Sequence, residues 1–204
     1  MKIIDEYTYL VFNCIKGSLD TVYNEFREII DKFDEPWIFN RSELDIKQIY
    51  FPEPKPGGAH FSEFALWVPV IQKKSTIFIV NYQDGWEHFI RKYSEYYKRT
   101  CLHIAFSNHY SEYPAFFFHY YEEGAERRFI QALKDHPRWV FYQEGEPLDF
   151  EDVSLYKKRR IRDRLTREII IEYAKHLGWD IEDENFWRSD KPAIYGKQLG
   201  WSTE

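Results

Sequence analysis

Apolar and polar positions along this chain follow two periods, and the points where the period changes mark its elements. Residues 7–15, YTYLVFNCI, are almost wholly aromatic or branched, the mark of a buried strand. Lys16-Gly17-Ser18 makes a turn, with Ser18 placed to cap a helix. From there Leu19, Val22, Tyr23, Phe26, Ile29, Ile30 and Phe33 recur at helical spacing and predict an amphipathic helix. WIFN (37–40) and IKQIYF (46–51) predict short strands, and PEPKPGGAH (52–60) is too rich in proline and glycine for regular structure.

FALWVPVI (64–71) predicts an edge strand, because Pro69 has no N–H to give to a ladder. TIFIVNY (76–82) predicts another strand, closed by Gln-Asp-Gly. Trp86, Phe89, Ile90, Tyr93 and Tyr97 then form the stripe of a second helix over 86–98. CLHIAFS (101–107) and PAFFFHYY (114–121) predict strands, and EEGAE a tight turn. Residues 136–151 predict a hairpin around Glu144 and Gly145. A third helix is expected over 155–177, with Ile161, Leu165, Ile169, Tyr173 and Leu177 on its buried face and Gly178 ending it.

The pattern predicts one α+β domain over 1–204, with an antiparallel or mixed sheet of about six to eight strands and the helices on one face. The acidic, tryptophan-bearing tail, 179–204, is expected to fold back on the body. Strand, turn and helix occur at 7–33 and again at 76–98, with Asn13 and Gly17 echoed by Asn81 and Gly85, which raises a duplicated unit.

Composition changes this picture in one respect. Hydrophobic residues at 44% and charged residues at 30% are ordinary for a globular chain, but 20% of the residues are aromatic. Phe, Tyr and Trp supply core area, and Tyr and Trp also suit half-wet interfaces. Cys14 and Cys101 support neither a disulfide framework nor a four-cysteine zinc site. No apolar run reaches membrane-spanning length, and Asp5 and Glu6 interrupt what would be a signal peptide, so a cytoplasmic protein is expected.

Motifs for chemistry are sparse. Gly57-Gly58-Ala59-His60 lacks the lysine and following helix of a phosphate-binding loop. The histidines form no metal-binding motif, and no cofactor is expected. Side-chain alternation puts Cys101 and His103 on one strand face, and pairing with 114–121 would bring His119 to His103. That trio is the one candidate for an enzyme site, as a Cys/His dyad or a transition-metal site.

Charge carries the other signal. Between Lys157 and Arg167 seven basic residues stand against one acid, while the whole chain carries −6, leaving −12 for the remainder. On a helix Lys158, Arg159 and Arg162 would point away from the apolar stripe, with Arg160, Arg164 and Arg167 flanking it. Three readings follow: a solvated face clasped by Asp180–Glu184, a protein-binding surface, or a nucleic-acid site using Lys158, Arg159, Arg160 and Arg162. The leading expectation is a non-catalytic protein-binding domain, in its most concrete form a bacterial immunity-type protein whose acidic body meets a basic toxin. Its expected anchors are His60 and Trp67 near the 52–60 loop, and Trp179, Asp183, Glu184 and Trp187 in the tail.

Overall fold

The computed structural model describes residues 2–50 and 60–201. Its elements run β1 (Tyr9–Lys16), α1 (Leu19–Ile30), β2 (Trp37–Ser42), β3 (Glu63–Trp67), β4 (Ser75–Val80), α2 (Glu87–Tyr97), β5 (Cys101–Ser107), β6 (Ala115–Glu122), β7 (Ala125–Asp135), β8 (Arg138–Glu144), α3 (Arg167–His176) and β9 (Ala193–Gln198). The nine strands form one sheet in the order β2-β9-β3-β4-β1-β5-β6-β7-β8, and every pairing is antiparallel. This is the α+β single-domain architecture read from the pattern, with more strands than expected because the tail supplies β9.

Helices cover both faces rather than one. Alternation explains why: in β4, Phe78 and Val80 face the layer of α1 and α2, while Ile77 and Ile79 face α3 and the tail. The aromatic surplus is largely core. Phe26 of α1 meets Phe64, Phe78, Phe89 and Tyr93 edge-on at 4.9–6.2 Å, the geometry that the ring quadrupole favours.

The predicted helix over 19–33 forms as α1, with Ser18 accepting from the Thr21 N–H at 3.3 Å. Gly178 ends α3, in the left-handed region at φ +94°, with its N–H on the Lys175 carbonyl and that of Trp179 on Ala174. Four predictions need correction. Pro69 does not make β3 an edge, because the strand stops at Trp67 and lies between β9 and β4. Ile46–Gln48 is a 3-10 turn capped by Asp45, not a strand. The last hairpin is β7–β8 and turns at His136–Pro137, not at Glu144–Gly145.

The third helix begins only at Arg167, capped by Thr166, and the basic stretch before it is irregular apart from 3-10 turns at Leu155–Lys157 and Ile161–Asp163. A continuous helix would have placed Lys158 against Arg162 and Arg160 against Arg164 at the spacing where like charges repel. It would also have crowded cations at the positive end of the helix dipole.

Candidate functional site

Beneath α2 a line of polar side chains crosses β1, β5 and β6. The register pairs Asn13 with His103 and His103 with His119. Asn13 Nδ2 donates to the Gly85 carbonyl at 2.8 Å, so its Oδ1 faces His103 Nδ1 at 2.8 Å and His103 must carry its proton there. Gly85 is required at this approach: with φ +59°, a Cβ would lie 2.4 Å from Val11 Cγ2. Burial pushes the His103 pKa down to about 3 and lowers that of His119, so both rings are neutral at physiological pH.

His119 is the anomaly. It is buried, and among the described residues neither ring nitrogen has a hydrogen-bond partner. Nδ1 stands 3.9 Å from Glu87 Oε1, while the ring lies flat on Phe129 and 5.4 Å from His103. The Tyr121 hydroxyl donates to the same Glu87 Oε1 at 2.5 Å.

The expected meeting of His103 and His119 therefore occurs, but in a sealed layer. Cys101 is fully buried, and burial pushes its thiol well above the ordinary value, so it is not a thiolate nucleophile. Among the described residues no group of three or more His, Cys, Asp and Glu side chains is arranged to hold a metal ion. A cleft of about 250 Å³ lies nearby, but Arg91, Lys92, Glu95, Tyr121, Gly124 and Glu126 line it, and Arg91 and Glu126 pair across it at 3.3 Å.

The expected tryptophan anchors are core residues. Trp67 and Trp179 have no exposed surface and Trp187 has 7%. Their indole N–H groups are used internally, on the Phe186 carbonyl, Ser75 Oγ and the Ile181 carbonyl at 3.0, 3.1 and 2.9 Å. A buried indole must satisfy its single donor: Trp67 and Trp187 donate to carbonyls of the tail, and Trp179 of the tail donates to Ser75 of β4. Asp183 caps the short turn Glu184–Phe186, and Glu184 is exposed. His60 is half-buried, stacked on Tyr82 at 4.3 Å, and residues 52–59 of its loop lie outside the described residues.

The acid-base clasp is not formed. Asp180 and Glu182 pair with Lys175 and Lys2 at 2.7 and 3.1 Å, not with the arginines of the basic stretch. Arg167 pairs with Asp5, and Arg162 stands 3.7 Å from Asp163. Lys157, Lys158, Arg159 and Arg160 are exposed, and none has a carboxylate within ion-pair distance among the described residues.

Sequence reasoning missed the surface of the last three strands. α2 reaches over β5, β6 and the near part of β7, and among the described residues no helix extends over β8 on that side. There Val140 and Tyr142 of β8 are 42% and 44% exposed, with Leu133 and Gln131 opposite them on β7 and Phe117 on β6 half-buried. The signal was present in RWVFYQE, an edge strand with no charge in its central five residues and apolar side chains on both faces. No helix among the described residues is long and apolar enough to cross a membrane. The chain matches no family model, no curated protein and no solved structure.

Proposed function

We propose that this chain is a protein-binding module that engages its partner through the uncovered face of β6–β7–β8. One observation carries the reading: Val140 and Tyr142 stand exposed, side by side, on an edge strand bordered by Leu133 and Phe117. Contiguous apolar surface of this kind commonly marks an interaction site. An edge strand free of central charges also leaves a row of backbone donors and acceptors for a partner strand. Tyr142 is suited to anchor such a contact, being large, rigid and amphipathic, with its hydroxyl already oriented by Glu144.

The more specific form of the reading is an immunity-type protein that caps a basic toxin. Its support is the net charge of −6, which would speed encounter with a cationic partner. The test is a pull-down from nuclease-treated lysate of the source cells, with wild type and the double variant Val140→Ala/Tyr142→Ala side by side. A single stoichiometric protein is expected with wild type and not with the variant, while both melt at the same temperature. Equal recovery on both would remove β8 from the interface.

A further inference from the structure

The connection from β8 to α3, residues 145–166, contains only the two three-residue 3-10 turns. Connections of that length without regular structure are uncommon in compact domains and are usually functional or disordered. This one is held in place. The Arg128 guanidinium is 1% exposed and uses all five donors: on the Glu151 carboxylate, on Gln143 Oε1, and on the carbonyls of Glu144 and Gly145, at 2.8–3.1 Å. Glu151 in turn accepts the Leu148 N–H at 2.9 Å and the Tyr156 hydroxyl at 2.6 Å, and Tyr156 meets the Tyr173 hydroxyl of α3 at 3.0 Å. Further along, Arg164 Nε donates to the Lys158 carbonyl at 2.9 Å while its guanidinium lies 5.4 Å over the Phe141 ring. Buried ion pairs add little net stability, and their best-attested use is to select one arrangement over others. Here the arrangement selected is that of the basic stretch.

What the pinned segment presents is four consecutive exposed cations, Lys157 to Arg160, without carboxylates in reach among the described residues. Other exposed cations, such as Lys16, Lys74 and Arg138, also stand without a carboxylate within 4.0 Å among the described residues, but singly or as a pair; four in succession occur only here among the described residues. Adjacent like charges repel, so an unneutralised run in an acidic chain is unfavourable until an anion arrives. Beside it, the turn Ile161–Asp163 packs on β7 and β8, where aromatic rings form a strip: Tyr156 and Phe141 at 5.6 Å, and Trp139 parallel to Phe116 at 6.3 Å. Trp139 is half-exposed and has Lys134 opposite it in the register.

We infer that this segment binds single-stranded nucleic acid, with Lys157–Arg160 on consecutive phosphates and a base stacked on Trp139. A cationic track beside an aromatic platform is the combination by which single strands are held without sequence preference. An acidic peptide would use the cations but has no need of the ring. The inference is independent of the protein-binding reading, because it uses the opposite face of β7–β8.

The experiment is fluorescence anisotropy of the full chain with labelled oligouridylate and oligothymidylate. Four phosphate contacts predict that affinity falls about 50-fold between about 50 and 200 mM salt. The triple variant Lys157→Glu/Arg159→Glu/Arg160→Glu, all surface positions, is expected to abolish binding with an unchanged melting temperature. Trp139→Ala should weaken binding about tenfold without changing the salt slope, and Trp139→Tyr should restore most of the loss. Absence of binding at low salt, or binding indifferent to the triple variant, overturns the inference. So does heparin binding as tight as the oligonucleotide together with full affinity in Trp139→Ala, which would describe a site for any polyanion.

Discussion

Strands β3, β4 and β1 and strands β7 and β8 belong to one sheet but solve different problems. The first group lies between two layers, and its side chains are buried at nearly every position from Phe64 to Trp67 and throughout Ser75–Val80. In the second group, among the described residues, β8 carries only the turn Ile161–Asp163 on one face and no helix on the other, where Val140 and Tyr142 are exposed. Both draw on the same aromatic and branched residues. Composition therefore does not separate core from interface; what separates them is whether a second layer reaches the strand.

Truncation of the tail's tryptophan gives the largest test of that difference. Trp179→Ala removes a ring with no exposed surface and takes from the buried Ser75 hydroxyl its indole donor, so a loss of about 3–5 kcal/mol is expected in denaturant unfolding. A loss below about 1 kcal/mol would mean that the tail is an appendage and that the sheet holds without it.

A loss of comparable size has another origin at β7 and β8. Glu151→Ala leaves the Arg128 guanidinium buried without its counter-ion, which costs about 3–5 kcal/mol. The double variant Arg128→Met/Glu151→Leu should recover most of it, since a packed apolar pair of similar volume is often neutral. The recovered protein would nonetheless lose order in residues 145–166, visible as faster amide exchange there and not in β3 or β4. Unchanged exchange in the double variant would refute the positioning role given to this pair.

How far the sequence could be read follows the same division. Helices α1 and α2, the strands around them and the α+β class were legible because period and caps agreed with the packing, Ser18 being the clearest case. The tryptophans were misassigned because an indole in a polar, acidic tail looks the same whether its N–H meets a partner or the Ile181 carbonyl. The basic stretch read as helix because Ile161 and Leu165 keep helical spacing, yet no single-sequence signal announces that Tyr156 is tied to a buried carboxylate. Pairing of His103 with His119 was legible from strand alternation; the empty hydrogen-bonding positions around His119 were not.

A smaller, stabilising effect is expected at His119. A buried polar group without partners costs about 1–3 kcal/mol, so His119→Phe, stacking on Phe129, should raise the melting temperature at neutral pH. The pH dependence has a definite sign. Burial lowers both imidazole pKa values, so the unfolded chain, titrating near about 6.5, takes up protons first. Stability is complete above that pH and declines as the pH falls toward the His103 value of about 3. His119→Phe should flatten part of the decline, and melts at neutral pH and at about pH 5 would show it. An equally steep decline in the variant would assign the acid sensitivity to other groups.

The smallest expected effect on stability is the most informative about function. Val140 and Tyr142 are nearly half exposed, and truncating either to Ala should change unfolding free energy by no more than about 0.5 kcal/mol. If this face of β7 and β8 were an unfinished core, the same substitutions would cost more than about 1 kcal/mol, as they do where a strand face is covered. Neutral melting together with loss of the partner is the pair of results that a binding face requires, because the residues then contribute only in the complex. Val140→Ala and Tyr142→Ala, each measured by thermal melting and by partner affinity, separate the alternatives at single positions. A destabilised variant that still binds would return β8 to the core and leave the two regions of the sheet alike in kind.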